Sequence, residues 1–173
     1  FQKFNSTKNE IPWEEYKEKT RAIREECLKR LPQLIQKFTE EATKAGASVY
    51  QASTPQEALS LMEKIAGQKK AKLIIKSKSM VSEEIQLTSY LEKKGYRVVE
   101  TDLGEWIIQL AKEKPSHITA PALHKTKEEI AELVSLHLGR KVAAEPQEIV
   151  QLVRKEMRRY FTEADIGISG ANL

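Results

Sequence analysis

The sequence predicts an α/β protein in which a parallel sheet of about five strands with crossover helices follows an N-terminal helical segment. Two patterns support this fold class. From Trp13 to Ala45, apolar or small residues recur every three or four positions, which is the periodicity of a helix. After Gly46, short apolar runs alternate with amphipathic segments, as in strand–helix–strand units. We therefore place a helical segment at residues 1–45 and an α/β domain at 46–173, and we expect this domain to be truncated at its C-terminal end.

The helical segment carries a row of apolar or small residues on one face, which we call the apolar stripe. Its members are Tyr16, Thr20, Ile23, Cys27, Leu31, Leu34, Phe38 and Ala42. Pro32 lies inside the stripe and lacks a backbone donor, so we expect a kink or a break there. Gly46 should end the helix. Cys27 lies in the middle of the stripe, which predicts a small buried hydrophobic residue.

Five apolar segments after Gly46 are predicted to be strands. They span residues 48–51, 72–76, 97–101, 117–120 and 165–169. Capping residues predict helices between these strands. Thr54 precedes Pro55 and is followed three residues later by Glu57, and Thr126 is followed at the same spacing by Glu129, as in a reciprocal capping box. Gly139 should end the helix that Thr126 begins.

A further helix should begin at Pro146 and pack on the sheet. Its predicted buried face consists of Ile149, Leu152, Val153, Met157 and Tyr160. Because helical crossovers join parallel strands, every strand should end at the same edge of the sheet. Ligands bind outside the carboxyl ends of such strands, so functional residues are expected directly after each strand.

The strand at 72–76 ends in a cluster of lysines and serines: Lys76, Ser77, Lys78 and Ser79. A helix should begin near Val81, and the free N–H groups and dipole of a helix start favour anions, as do the two ammonium groups. The stretch contains no glycine and is therefore not a Walker-type phosphate loop. In the alternative interpretation, Ser79 or Ser82 caps the helix and the lysines are solvated.

The strand at 97–101 brings Asp102 and Glu105 to the same edge. Asp102 could act as a general base, anchor ligand hydroxyls or pair with Lys76 or Lys78. It could equally cap a helix that begins near Gly104, and the two roles can coexist.

The segment at 117–120 is followed by His124 and Lys125. His124 is the strongest proton-transfer candidate because an imidazole changes charge near neutral pH. The alternative is an ordinary surface histidine. We interpret His117 and His137 as structural, and three histidines so dispersed have no metal-ligand spacing.

The last predicted strand runs into a turn that contains Gly170 and Asn172. The glycine permits close approach of a ligand to the backbone, and the asparagine adds a side-chain amide. Both residues are therefore candidates for ligand binding.

Composition narrows the class of protein. The net charge of +4 comes from 29 basic and 25 acidic residues that are dispersed, which argues against nucleic-acid binding. A single cysteine allows no intrachain disulfide, and a cluster that needs several thiolates cannot be held by this chain alone. We find no apolar run of transmembrane length and no signal peptide. The sequence therefore predicts a cytoplasmic protein.

Three long segments resemble a known family: "KSKSMVSEEIQL", "VVETDLGEWIIQLAKEKPSHITAPALHK" and "ADIGISGANL". Their order and spacing are similar to the N-terminal part of the lactate utilization protein B family of iron–sulfur proteins. The resemblance implies a LUD domain with a fold like that of the NagB, RpiA and CoA-transferase group. It also implies participation in oxidation of L-lactate to pyruvate with two partner proteins. The [4Fe–4S] clusters of the family would lie outside this chain. The resemblance assigns no catalytic residue to this chain.

These observations favour the ligand-binding portion of a lactate-utilization, electron-transferring subunit. Two alternatives stay open: a docking scaffold for partner subunits, with the helical segment as the contact, and a module that binds a small anion of the sugar-phosphate or coenzyme-A type. An unpaired strand at the edge of an incomplete sheet would also favour homo-oligomers.

Overall fold

The computed structural model describes residues 11–170. The chain falls into two compact units, Phe1–Gln51 and Ala52–Leu173. The first unit contains helices α1 (Trp13–Lys29) and α2 (Leu31–Lys44), which are joined through Arg30. Pro32 lies in the first turn of α2, so the predicted interruption of the helix is confirmed. Gly46 follows with a φ of +91°, as expected for a glycine that ends a helix.

The apolar stripe is exposed along both helices. Neither α1 nor α2 contains a buried residue, and Cys27 is exposed. The prediction of a buried Cys27 is therefore wrong. Helical periodicity identifies an apolar face, but it does not show that another element covers that face.

Within residues 52–170, the second unit contains three strands and six helices. The strands are β1 (Leu73–Lys76), β2 (Arg97–Glu100) and β3 (Ile166–Ile168), and the helices are α3 (Pro55–Gln68), α4 (Met80–Glu84), α5 (Leu87–Lys93), α6 (Leu103–Ala111), α7 (Lys127–Leu138) and α8 (Pro146–Glu163). The strands form a parallel sheet in the order β2-β1-β3. The α/β class and the parallel direction are thus confirmed.

The structure has three strands within residues 11–170, not the expected five. The segment at 48–51 is irregular and mostly exposed. The segment at 117–120 is a series of bends, because the ring nitrogen Nδ1 of His117 accepts hydrogen bonds from the backbone N–H groups of Thr119 and Ala120. Such local side-chain bonds compete with strand pairing.

Helices cover the sheet on both faces. On one face, Leu73 and Val99 pack into a core with Trp106 and with residues of α7 and α8. On the other face, Ile74 and Val98 pack against α3 and α5. Consecutive strand residues therefore serve opposite cores, as the alternation of side chains along a strand requires.

The predicted helix boundaries are confirmed. Thr54 accepts a hydrogen bond from the backbone of Glu57, and Thr126 and Glu129 form a reciprocal capping box. Gly139 ends α7 in the left-handed conformation. Along α8 the expected face is directed inward, and its fully buried members are Ile149, Val153, Met157 and Tyr160. Within residues 11–170, no helix combines the length and the hydropathy needed to cross a bilayer.

The outer edge of β2 is closed by a side chain. Gln109 accepts a hydrogen bond from the backbone N–H of Glu100 at 3.1 Å and donates one to the carbonyl of Val98 at 2.8 Å. The amide group thus occupies the position of a neighbouring strand at an edge that would otherwise offer free backbone groups.

Replacing Gln109 with alanine should lower the free energy of unfolding by about 1–3 kcal/mol, because a half-buried N–H and carbonyl lose their partners. Urea unfolding followed by circular dichroism measures this change. The control is Gln151→Ala on the exposed face of α8, which should change stability by less than about 0.5 kcal/mol. Equal effects of the two substitutions would contradict this function of Gln109.

Candidate functional site

The carboxyl ends of the three strands lie side by side. Lys76 pairs in register with Glu100 on β2 and with Ile168 on β3. The backbone N–H of Ser77 continues the pairing to Ile168 at 2.9 Å, and that of Thr101 continues it to Lys76 at 2.8 Å. The residues that follow the strands are therefore gathered at one edge.

Lys76 lies entirely inside this edge, with none of its side chain exposed. Its ammonium group donates to Glu83 at 2.7 Å and lies 3.0 Å from an oxygen of Glu100. The hydroxyl of Ser82 lies 3.2 Å away. Lys76 is therefore held by two carboxylates, from α4 and from the end of β2. A ligand could reach it only if these contacts opened.

Burial and neighbouring charges determine the protonation of Lys76 and Glu100. Burial works against the charge of Lys76, but the hydrogen bond to Glu83 and the attraction of Glu100 outweigh it and raise the pKa of Lys76. Burial raises the pKa of Glu100, although Lys76 and the hydrogen bond from Thr88 act in the opposite direction. The lysine therefore stays charged, and Glu100 accepts a proton more readily than a carboxyl group in water does.

Lys78 forms a second ion pair at the same edge. Its ammonium group lies 2.6 Å from Glu105, whose side chain is almost completely buried in the first turn of α6. The side chain of Lys78 keeps 26% of its surface exposed. Lys78 is therefore the cation of the predicted cluster that solvent and ligands can reach.

Ser79 and Asp102 act as helix caps. The hydroxyl of Ser79 accepts from the backbone of Ser82 and is buried, and one oxygen of Asp102 accepts from the backbone of Gly104 and Glu105. Asp102 forms no ion pair with Lys76 or Lys78 in residues 11–170; those lysines bind glutamates instead. Since α4 has only five residues, its start also contributes little dipole to an anion site.

His124 and Lys125 lie in a different cluster. Both contact Glu113, with 2.8 Å between the imidazole of His124 and the carboxylate. The hydrogen bond from Lys125, and to a smaller extent the contact with His124, lowers the pKa of Glu113. The segment at 117–120 is not a strand, so it does not deliver these residues to the end of the sheet as expected. His124 instead contacts Glu113, and both side chains are partly exposed.

A groove of about 610 Å³ lies beside Lys78, and we call it the strand-end groove. Its charged or titratable lining residues are Lys78, Glu83, Glu105, Lys114 and His117, and its apolar lining includes Met80, Pro115 and Ile118. The volume is in the range of small-molecule sites. The groove therefore combines the predicted Lys78 and Glu105 with Lys114 and His117, which sequence reasoning had not selected.

Sequence reasoning missed Lys114 and His117 because Lys114 precedes the predicted strand at 117–120 and His117 is its first residue, whereas functional residues are expected after a strand. A Cβ atom on Gly104 would come within 2.8 Å of Pro121, which shows how closely this loop approaches the start of α6. Two prolines, Pro115 and Pro121, flank the bends. They were the available signal that a loop, and not a strand, lies between them.

Gly170 lies against the loop that follows β1. An added Cβ would collide with the side chain of Ser79, so this close approach requires glycine. Ser77 and Ser169 are joined nearby through their hydroxyl groups at 3.3 Å. Asn172 lies outside the described residues. Within residues 11–170, no group of histidine, cysteine and acidic side chains could hold a metal ion.

Comparison with known proteins identifies related sequences. A family model described as LUD domain matches residues 35–173. Lactate utilization protein B of Bacillus cytotoxicus is 42% identical over 160 residues, which is 92% of this chain and 34% of that protein. The proteins of the same name from Bacillus thuringiensis and Bacillus cereus are 41% identical over 160 residues, with the same coverage. The chain thus spans about a third of the length of these curated relatives. No solved structure matches it significantly.

Replacing Lys76 with methionine should destabilise the protein by about 3–5 kcal/mol at pH 7, because Glu100 is left as a buried charge without its cation. The deficit should shrink as the pH falls from 7 towards 5. A carboxyl group whose folded pKa is raised binds its proton more tightly in the folded state, so protonation removes the cost. Urea unfolding at several pH values measures both effects.

The control for this experiment is the double variant Lys76→Met with Glu100→Gln. It should recover part of the lost stability and show no extra dependence on pH over this range, because no buried charge remains. A deficit in the single variant that is the same at pH 5 and pH 7 would contradict the buried ion pair.

Proposed function

The chain belongs to the LUD domain family, and from this premise we propose that it forms the ligand-binding portion of a lactate-utilization protein. Relatives that carry the name lactate utilization protein B support this proposal. The activity of the longer protein would be oxidation of L-lactate to pyruvate, in association with other lactate-utilization subunits. We also propose that the sheet is part of a fold of the NagB, RpiA and CoA-transferase type, which its parallel strands and crossover helices support.

The observation that supports a binding role most directly is the Lys78–Glu105 pair in the strand-end groove. The buried carboxylate of Glu105 orients a lysine whose ammonium group is partly open. A substrate carboxylate could contact the remaining donors of that ammonium group. Lys114 lines the same groove and supplies a second cation.

Charge in this region is balanced. Lys76, Lys78 and Lys114 face Glu83, Glu100 and Glu105, so the groove has no strong positive field that would attract an anion from a distance. An anionic ligand must therefore be held by short contacts. For a molecule as small as lactate, this predicts a dissociation constant on the order of 1 mM.

The proton-accepting role proposed for His124 or Asp102 lies outside this groove, since neither residue is among its lining residues. We therefore propose the groove as a binding site and assign no proton transfer to it. His117 is the imidazole that lines the groove.

Iron–sulfur chemistry does not fit the residues of this chain. A [4Fe–4S] cluster takes four thiolate ligands, whereas the chain has one cysteine, Cys27, on an exposed helix. We propose that any cluster of the longer protein is held by residues outside this chain. No electron-transfer step is assigned to the residues described above.

Titration of the isotope-labelled chain with lactate and pyruvate should shift amide resonances of residues that line the strand-end groove. Lys78→Met should weaken binding by ~10-fold or more, because the groove loses its most accessible oriented cation. Two-dimensional NMR measures both results. The matched control is Lys155→Met on the exposed face of α8, which should leave the dissociation constant unchanged.

Shifts confined to residues around His124 and Glu113 would move the binding site to that cluster. Equal weakening by the two lysine substitutions would show that general charge, and not the groove, attracts the ligand. The absence of any shift at ligand concentrations well above 10 mM would contradict a lactate site in this chain.

A further inference from the structure

The apolar stripe on α1 and α2 has no role in the strand-end groove. In this part of the described chain, the large apolar side chains from Tyr16 to Phe38 keep between 37% and 68% of their surface exposed. A groove of about 450 Å³ also runs along α1, lined by Tyr16, Thr20 and Leu28 among others. Surface helices usually bury such a face, so this arrangement calls for a partner.

The two helices also need packing to be stable. They contain 17 and 14 residues, and isolated helices of this length are marginal in water. Neither has a buried residue, although the first has neighbouring ion pairs such as Lys19 with Glu15 and Arg21 with Glu25. Exposed pairs of this kind contribute only a few tenths of a kcal/mol each. Local interactions therefore supply little of the stability that an ordered helical unit requires.

We propose that the apolar stripe is an interface between two copies of this chain. The large side chains of the stripe are Tyr16, Ile23, Leu31, Leu34 and Phe38, and together with the exposed Leu28 and Ile35 on the same helices they expose on the order of 700 Å² per chain. Two copies would therefore bury about 1,400 Å², which is the size of a standard stable protein interface. The stripe is the same surface on both partners, as a two-fold dimer requires.

The charges on the two helices favour a second copy over a strongly charged partner. Residues 13–44 contain seven acidic and eight basic side chains, so two copies would neither repel each other nor select an acidic or basic surface. Several of these charges are already paired within their own helix, as Lys17 is with Glu14 and Lys44 is with Glu41. Recognition therefore rests on the apolar residues.

The interface is distinct from the open sheet edge that the sequence suggested as a cause of oligomers. Sedimentation velocity of the full 173-residue chain over a range of concentrations should show a reversible dimer. The variant Ile23→Glu with Phe38→Glu adds two carboxylates to the stripe, and it should raise the dimer dissociation constant at least ~100-fold.

The matched control is Ala22→Glu with Thr43→Glu, which adds the same charge on the opposite side of the helices and should leave the dissociation constant within ~3-fold of the unchanged chain. Circular dichroism checks that each variant keeps its helices. A chain that stays monomeric, or a dimer that both variants weaken equally, would overturn the proposal. A dimer that persists in the Ile23→Glu, Phe38→Glu variant would place the contact elsewhere and overturn it as well.

A second measurement does not depend on the folding of any variant. Cys27 is the single cysteine and belongs to the stripe. Its alkylation by iodoacetamide in the unchanged chain should slow at least ~10-fold as the concentration rises through the dimer transition, because the thiol becomes buried. A rate that is the same in monomer and dimer would overturn the proposal.

Discussion

The buried charge of Lys76 is the constraint on which the carboxyl edge of the sheet depends. A lysine ammonium with no exposed surface is tolerated only when anions surround it, and here Glu83 and Glu100 supply them. These two residues come from α4 and from the end of β2. The two ion pairs of this one lysine therefore join two neighbouring strands and the helix that follows the first of them. The positions of Lys78, Ser79 and the strand-end groove follow from that arrangement.

The glutamates at this edge also neutralise the positive charge of the lysine cluster. Lys76 and Lys78, at the end of a strand, suggest a strongly positive anion site, but each is neutralised by glutamate within 3.0 Å. The edge is thus a balanced network that orients Lys78 and leaves part of it open. Buried ion pairs add little net stability compared with apolar packing, but removal of one partner is costly. This network therefore specifies an arrangement of side chains more than it strengthens the fold.

Contacts between residues that are close in the sequence can be predicted from it, whereas contacts between distant residues cannot. Caps such as Thr126 with Glu129 could be predicted because both partners lie within one turn of helix. The parallel edge could be predicted because crossover helices force it. The partner of Lys78 could not, because Glu105 is 27 residues away and several acidic residues compete for the role. The prediction of a strand at 117–120 is wrong because the apolar composition of the segment fits a strand, whereas hydrogen bonds to the ring of His117 bend its backbone.

The protonation state of Lys76 tests the central claim most directly. Selective ¹⁵N labelling of lysine and NMR detection of its side-chain nitrogen would give the pKa of Lys76 in the folded chain. The structure predicts a value raised above 10.5, since Glu83 and Glu100 outweigh the effect of burial. A pKa below 10.5 in the folded protein would show that burial dominates and that the two carboxylates do not hold this charge at the end of the sheet.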